Sequence, residues 1–545
     1  MDHFDVANVL REIGALLELE GAEAFRVQAY QRGARAVEAV QELGRLVETR
    51  RLTELPGIGD GLAAAITELW TTGRSAIRER LVAALPPGAL ALAPVATLEQ
   101  IRRLHAALGV TTLAEVEAAC RAGRVRGVRG FGERTEARLL ERCVAHAARR
   151  PAMTLGAALG LGREVAGVLG VEGAGAGVEV VGAARRGEET VEALELLVVT
   201  ADAEAEARGD EVSARRLAEA RGLALLVHRA TPAESGWARI AATGPEAHVA
   251  VMAARLGGET AFATEAEAYR AAGLHWIPPE VRDDPAWLAA AETGVPIRLV
   301  EGGDIRGMIH CHTTWSDGQH TIAEMVRAAE ALGMAYVTIT DHSPTASYAH
   351  GVEVERLRRQ WDEIARVQET TPLKILRGAE SDILADGALD YPDAILEQLD
   401  IVIASIHNRY QQDAAAMTAR LVRALSRPVR VVWGHALGRL LLRRAPVLEE
   451  AADVERVLEA LGASGGLVEL NGDPNRMDLA PRWARVAKAR GLRFVCSVDA
   501  HRASEMGNLG LAVTMARRAG LGAGDVVNTF GVEGFCAAVR PVPRA

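Results

Sequence analysis

Eight residues of metal-ligand type fall in order along the second half of the chain: His310, His312, His342, Glu380, His407, His435, Asp499 and His501. Each follows a short apolar or β-branched run: GMIHCH, AYVTITDH, KILRGAE, IVIASIH, VRVVWGH and RFVCSVDAH. Imidazole and carboxylate donors suit zinc, manganese or iron, and no paired cysteines offer a closed thiolate site. His310 and His312 are two apart in an extended run, as are Asp499 and His501, so each pair projects from one face toward a common centre. Any one of these histidines is as readily a satisfied core residue. Their recurrence at strand ends points to a hydrolytic site with several metal ions.

The runs must be strands for this to hold, and LVELN adds one more of the same kind, making seven. Helical patterns such as IAEMVRAAEALG, PDAILEQL, MTARLVRALS and ADVERVLEALG separate them. That alternation predicts a parallel barrel, whose chemistry sits at the carboxyl ends of its strands.

The stretches HCHTTWSDG, TDH, GAESDI, SIHN, WGH, ELNGDPNRMDL and SVDAH resemble the polymerase and histidinol phosphatase (PHP) domain over about residues 300 to 540. The resemblance implies a distorted (β/α)7 barrel with a trinuclear metal centre and phosphoesterase activity. Carried over by residue, it implies one ion on His310, His312, Glu380 and Asp499. Glu380 would bridge to a second ion on His407 and His435, and a third would take Asp317, His342 and His501. Three divalent ions are expected, manganese or zinc, with iron an alternative. The chain departs from the pattern at Met308, where such domains often carry Asp, and His320 and His350 fall off the ligand set. Two cations about 3.5 to 4 Å apart generate hydroxide near neutral pH and neutralise phosphate oxygens. Arg476 and Arg409 are candidates to clamp the phosphate, and each is equally readable as a solvated loop residue.

At 545 residues the chain should hold several domains. No apolar run is long enough for a membrane span, and the start MDHFDVANVLREIG lacks a leader pattern. A cytoplasmic, nucleoid-associated monomer is expected. Cys120, Cys143, Cys311, Cys496 and Cys536 are unpaired in spacing, so no disulfide scaffold is predicted. The net charge of −10 does not advertise a nucleic-acid binder, but residues 101 to 150 carry eleven Arg against five Glu. A phosphate-contacting surface could lie there.

Two glycine turns frame that segment. LTELPGIGDGLAAAI places Gly57 and Gly59 between helical patterns, and VRGVRGFGERTEARLL repeats the arrangement with Gly130 and Gly132 among Arg124, Arg126, Arg129 and Arg134. Both look like helix-hairpin-helix motifs, which present backbone amides at a helix N-terminus to DNA phosphates without reading bases.

Upstream, LLELEGAEAFRVQAYQRGARAV resembles the opening of family X DNA polymerases. With the hairpins and RAAGLHWIPPEVRDD, nearly the whole chain resembles a bacterial family X polymerase fused to a PHP domain. The domains implied are a helical hairpin domain over 1–85, a second hairpin domain over 86–150, a degenerate nucleotidyltransferase-like α+β palm over 151–240, a thumb-like segment and linker over 241–300, and the barrel over 301–545. The palm departs from the family. GAARRGEETVEALELLVV keeps the Arg-Arg-Gly frame, but the family's serine is Ala183 and its two metal-binding aspartates are Ala193 and Glu195. Aligning on RATPAES puts Val227 at the third. Two-metal nucleotidyl transfer needs several carboxylates, so polymerase activity is expected to be absent. Only Lys374 and Lys488 occur, so a lysine Schiff-base lyase in the small domain is excluded as well.

The expectation is a DNA-binding, manganese-dependent 3′-5′ exonuclease or 3′-end-processing nuclease of DNA repair. The alternatives are a small-molecule phosphatase of the histidinol phosphatase kind and a non-catalytic repair scaffold.

Overall fold

The computed structural model describes residues 3–539 except 21, 39–42, 56, 94, 148–151, 171–176, 202–210, 408–411 and 443–445. The chain divides into two compact units, Met1–Arg150 and Pro151–Ala545.

The first unit is helical and holds two apolar clusters. One gathers Leu10, Ile13, Leu17, Ile66 and Leu69, the other Ile101, Leu104, Val116, Val125 and Phe131. Helices Leu98–Leu108 and Leu113–Arg121 each begin with a capping box, Thr97 with Gln100 and Thr112 with Glu115. These pairs satisfy amides that the first turn would otherwise leave open.

The second unit begins with a small layer in which strand Ala193–Val199 pairs antiparallel with Gly177–Val180 and parallel with Ala224–Ala230. Among the described residues, seven further strands then form a parallel sheet in chain order. They are β1 (Gly307–Cys311), β2 (Tyr336–Ile339), β3 (Lys374–Asp382), β4 (Ile401–Ser405), β5 (Val431–Trp433), β6 (Leu467–Asn471) and β7 (Phe494–Ser497). The sheet is a nearly closed barrel. His312 N donates to Ala500 O at 2.8 Å and Ala500 N to His310 O at 3.1 Å, linking β1 to the segment after β7. Asn528 seals the same seam lower down: its amide donates to Gly307 O and Cys496 O and accepts from Cys496 N, at 2.9, 2.8 and 3.0 Å.

Alternation along each strand sorts side chains into two sets. Ile309, Leu376, Ile403, Val432, Leu467 and Val495 pack with Phe535 of the helix Val532–Ala538, while Met308, Ile375, Val402, Val431, Val468 and Phe494 join a larger cluster that also contains the small layer's Leu155, Leu194 and Leu196. Burial on both faces explains why these strands read as continuous apolar runs. Phe535 stacks near Tyr336, ring centroids 4.9 Å apart, and burial of such a ring is worth roughly 1.5–3 kcal/mol. The face that carries Leu376 carries Glu380 four residues later, and that of Leu467 carries Glu469, so polar groups lie above this apolar plug.

Candidate metal centre

Glu380, near the end of β3, is the hub. Its Oε1 lies 2.8 Å from His435 Nε2 and 3.2 Å from His407 Nε2; its Oε2 lies 2.9 Å from His342 Nδ1 and 3.6 Å from both His310 Nε2 and His312 Nε2. Asp499 Oδ1 is 3.4 Å from His310 Nε2 and 3.1 Å from His312 Nε2. Asp317 Oδ1 lies 3.6 Å from His342 Nε2 and 3.4 Å from His501 Nε2. Three overlapping groups could each hold an ion: His310, His312, Glu380 and Asp499; His342, Glu380 and His407; and His312, Asp317, His342 and His501. Two donors on one tetrahedral zinc stand roughly 3.3 Å apart, so these spacings suit ligands around a shared cation.

The donors are poorly served by hydrogen bonds alone. His310 Nε2, both nitrogens of His312, Glu380 Oε2 and Asp499 Oδ1 are buried and have no hydrogen-bond partner among the described residues. Burial opposes charge on His310, yet Glu469, Asp499 and Glu380 outweigh it and hold its pKa well above its usual value. The same contest lifts His407 to about 10 beside Glu380 and Asp382, and His501 to about 10 beside Asp317 and Asp499. His312 is pushed down to about 3 by burial and by the charges of His501 and His342, whose rings lie 4.2 and 4.5 Å away. So many rings cannot all be protonated; a cation bound by neutral imidazoles relieves the conflict.

The backbone is bent to bring these groups together. His310, His435 and Asp499 adopt φ of 64°, 24° and 51°. Such values cost non-glycine residues about 1–3 kcal/mol each and gather at functional sites. Three carboxylates that the sequence patterns did not single out hold the donors in place. Glu469 on β6, fully buried, accepts from His310 Nδ1 at 2.5 Å, His435 N at 2.5 Å and Ser497 Oγ at 2.6 Å. It gives His310 the acidic partner that Met308 cannot. Asp382 accepts from His407 Nδ1 at 3.1 Å, fixing the ring. Asp341 accepts from Thr313 N, Thr313 Oγ1, Ser316 Oγ and Gln360 Nε2, which shapes the loop leading to Asp317. The signal for Glu469 was its strand parity in LVELN, two residues beyond inward-facing Leu467.

Arg476 lies at the rim, its Nε 3.8 Å from Asp499 Oδ2 and 3.5 Å from Asp473 Oδ2. Arg409 lies outside the described residues. His320 accepts from Ala503 N and His350 is exposed; neither joins the donor groups. Cys311 and Cys496 are buried, with burial pushing the Cys496 thiol up to about 12.

The glycine turns each lead into a helix. Gly57 and Gly130 have φ of 84° and 91°, while Gly59 and Gly132 precede helices Asp60–Thr72 and Glu133–Ala147. A Cβ at Gly59 or Gly132 would meet nothing within 4 Å, so packing does not explain the glycine there. Arg129 and Arg134 are exposed, whereas Arg126 Nε is held by buried Glu136 at 2.6 Å. Arg103, on helix Leu98–Leu108, lies against Gly130.

In the small layer, Ala193 and Glu195 stand on one strand and Val227 on its neighbour, with Leu196 opposite Val227. Glu195 Oε2 is 3.2 Å from His228 Nε2, and Gly182, beside Ala183, packs against the Glu195 carboxyl. A cavity of about 530 Å³ lined by Glu195, Arg186, Thr243 and Glu246 adjoins it.

A helix-hairpin-helix domain model matches residues 1–75 and a PHP domain model residues 309–473. The DNA polymerase/3′-5′ exonuclease PolX of Bacillus subtilis (strain 168) is 31% identical over 560 residues, 96% of this chain and 97% of its own. The chain belongs to the PolX family, family X polymerases that carry a PHP domain. A protein named "probable phosphatase" from Caldanaerobacter subterraneus subsp. tengcongensis is 30% identical to this PolX member over 40% of the chain and 85% of its own length. A histidinol phosphate phosphatase of Lactococcus lactis, solved with zinc, L-histidinol and phosphate, covers 40% of the chain and 94% of its own at 15% identity, with a TM-score of 0.29. The fold expected of a PolX chain, helical hairpins and a PHP barrel, is the fold described here. No helix among the described residues is long and apolar enough to cross a membrane.

Proposed function

We propose that this chain is a metal-dependent phosphoesterase acting on DNA, a 3′-5′ exonuclease or 3′-end-processing nuclease of repair whose palm-like layer no longer transfers nucleotides. The observation that carries the reading is Glu380, whose two oxygens are shared among five imidazoles. His310, His312, Glu380 and Asp499 would hold one ion, Glu380, His407 and His435 a second, and Asp317, His342 and His501 a third. Manganese or zinc fits the oxygen and imidazole donors, with iron an alternative. Bound there, the ions would supply Lewis-acid activation of water and neutralise charge on the phosphate. Glu469, Asp382 and Asp341 hold the ligands in register, and Arg476 meets a phosphate oxygen at the rim. The hairpin glycines and Arg129, Arg134 and Arg126 dock the sugar-phosphate backbone of DNA without reading sequence. Ala193 and Val227 offer no oxygen donor and Glu195 faces His228, so the layer cannot seat two magnesium ions. The protein acts as a monomer in the cytoplasm, at the nucleoid.

The B. subtilis relative's name supports exonuclease chemistry; the barrel-only match to a "probable phosphatase" favours a small-molecule phosphatase as the second reading. Purified protein is given end-labelled primed DNA and, separately, histidinol phosphate, each with manganese. Shortening of the labelled strand supports the nuclease. Hydrolysis of the small ester alone supports the second reading.

A further inference from the structure

We propose that Glu189, in the palm-like layer, is a positioning residue of the barrel site, acting through Arg439 and the loop 472–478. The inference rests on the reading of the barrel as the hydrolytic centre. It assigns the layer a working part in that centre.

Glu189 is anchored within its own layer: its carbonyl accepts from Leu155 N at 3.0 Å, and strand Thr190–Val191 follows, paired with Met153–Thr154. Its side chain reaches the barrel, where Oε1 accepts from Arg439 Nη2 at 2.6 Å. Arg439 is buried and lies four residues beyond His435. The same Nη2 also donates to Met477 O.

The turn after His435 and the loop that carries Arg476 are clipped together around this arginine. Asp478 accepts from Leu437 N at 3.0 Å and Arg439 N at 3.4 Å, Asn471 N donates to Asp478 O at 2.5 Å, and Leu441 N donates to Asn475 O at 2.7 Å. The layer also leans on the loop directly: a Cβ at Gly156 would come within 2.7 Å of Pro474 Cβ. Within this loop Arg476 stands beside Asp499. Loss of the Glu189 charge leaves a buried guanidinium facing, among the described residues, the Met477 carbonyl and amide-bonded Asp478, so the clip loosens. A displacement of about 1 Å in a group that positions substrate costs on the order of 100-fold in rate. The chain thus keeps the palm-like layer's scaffold, with its metal-binding aspartates gone, because the barrel's rim is built against it.

The test uses full-length protein with manganese and end-labelled primed DNA, and Glu189→Gln, which preserves shape and removes charge. Expected are unchanged metal content, a KM and kcat that together lower kcat/KM about 10-fold or more, and partial rescue in Glu189→Asp. In an Arg476→Ala background the further loss from Glu189→Gln should vanish, because the loop then has nothing left to position. Hydrogen exchange read beside activity should show the amides of Leu437 and Arg439 opening at least 10-fold faster while those of β3 and β4 hold. Equal losses in both backgrounds, or unchanged exchange at Leu437 and Arg439, would overturn the proposal. If the wild type leaves DNA intact, the reading of the barrel's substrate falls, and the exchange result alone decides whether Glu189 holds the loop.

Discussion

The barrel and the small layer beside it both present strand residues to a cavity or cleft, but they differ in what those residues can hold. In the barrel most of the strands end on or near a donor, and Glu380 gathers five imidazoles. In the layer the equivalent positions carry Ala193, Glu195 and Val227, and the one carboxylate left is partnered by His228. Supporting parts survive in both: Arg185 in the layer still makes a paired hydrogen bond with Glu265 at 2.8 Å through each nitrogen. On the proposed reading, a fold outlasts its chemistry where its side chains have become structural, and loss of donors, not loss of fold, marks the layer's site.

The sharpest way to break this contrast is to remove the hub of each region. Glu380→Ala should strip bound metal and lower hydrolysis by three orders of magnitude or more, because it takes a ligand from more than one ion. Glu195→Ala should leave hydrolysis within about 2-fold. Elemental analysis beside the DNA assay reads both, and retention of metal and activity by Glu380→Ala would sink the shared-ligand account. His342→Ala, which on the proposed reading serves the third ion and leaves the pair bridged by Glu380, should fall less.

Stability separates the regions on a smaller scale. Asn528→Ala removes three hydrogen bonds across the barrel seam and strands buried groups of Gly307 and Cys496, at a cost of about 3 kcal/mol. Urea unfolding of the larger unit would read this, and a change below about 1 kcal/mol would mean the seam does not depend on Asn528.

The helical segment between layer and barrel predicts a pH dependence. Burial pushes His248, whose Nε2 meets Tyr269 Oη at 2.6 Å, down to about 4. Above pH 6.5 the unfolded and folded chains agree; as pH falls toward 4 the unfolded chain takes a proton that the folded chain refuses, and stability drops by about 3 kcal/mol. Burial opposes charge on Glu265, but Arg185, Arg282 and Trp276 outweigh it and hold the carboxyl at about 2. Its contribution is full above about pH 4.5 and fades as pH falls toward 2. His248→Phe should flatten unfolding free energy between pH 6.5 and 4 while leaving the Glu265 slope below it; an unaltered slope would remove His248 from the account.

The smallest expected effect lies in the first unit. Arg129→Ala should weaken binding to duplex DNA alike for all sequences and reduce the salt slope by about one. Arg126→Ala should do less through DNA contact, since Glu136 holds its Nε. Unchanged affinity in Arg129→Ala would remove the second hairpin from the DNA surface.

Legibility in the sequence followed the strength of local patterns. The barrel was readable because its strands are apolar runs that end on donors, and because period-two alternation is rigid enough to predict which side chains face inward. The hairpins were readable from glycine spacing. What could not be read was pairing across distance: Glu469 is separated from His310 by 159 positions and Arg439 from Glu189 by 250, and no local pattern announces such contacts. Arg126 likewise reads in the sequence as a DNA-facing basic residue, because its partner Glu136 lies on the following helix.

One assay reaches the centre of the comparison. Full-length protein free of host polymerases is mixed with 5′-end-labelled primed DNA, manganese and all four nucleotides, and product lengths are resolved with wild type, Glu380→Ala and Glu195→Ala side by side. The account predicts a ladder of shortened strands for wild type and Glu195→Ala, intact primer for Glu380→Ala, and no extended product in any lane. Template-dependent extension by wild type that persists in Glu380→Ala and disappears in Glu195→Ala would contradict it, placing the working chemistry in the layer instead of the barrel.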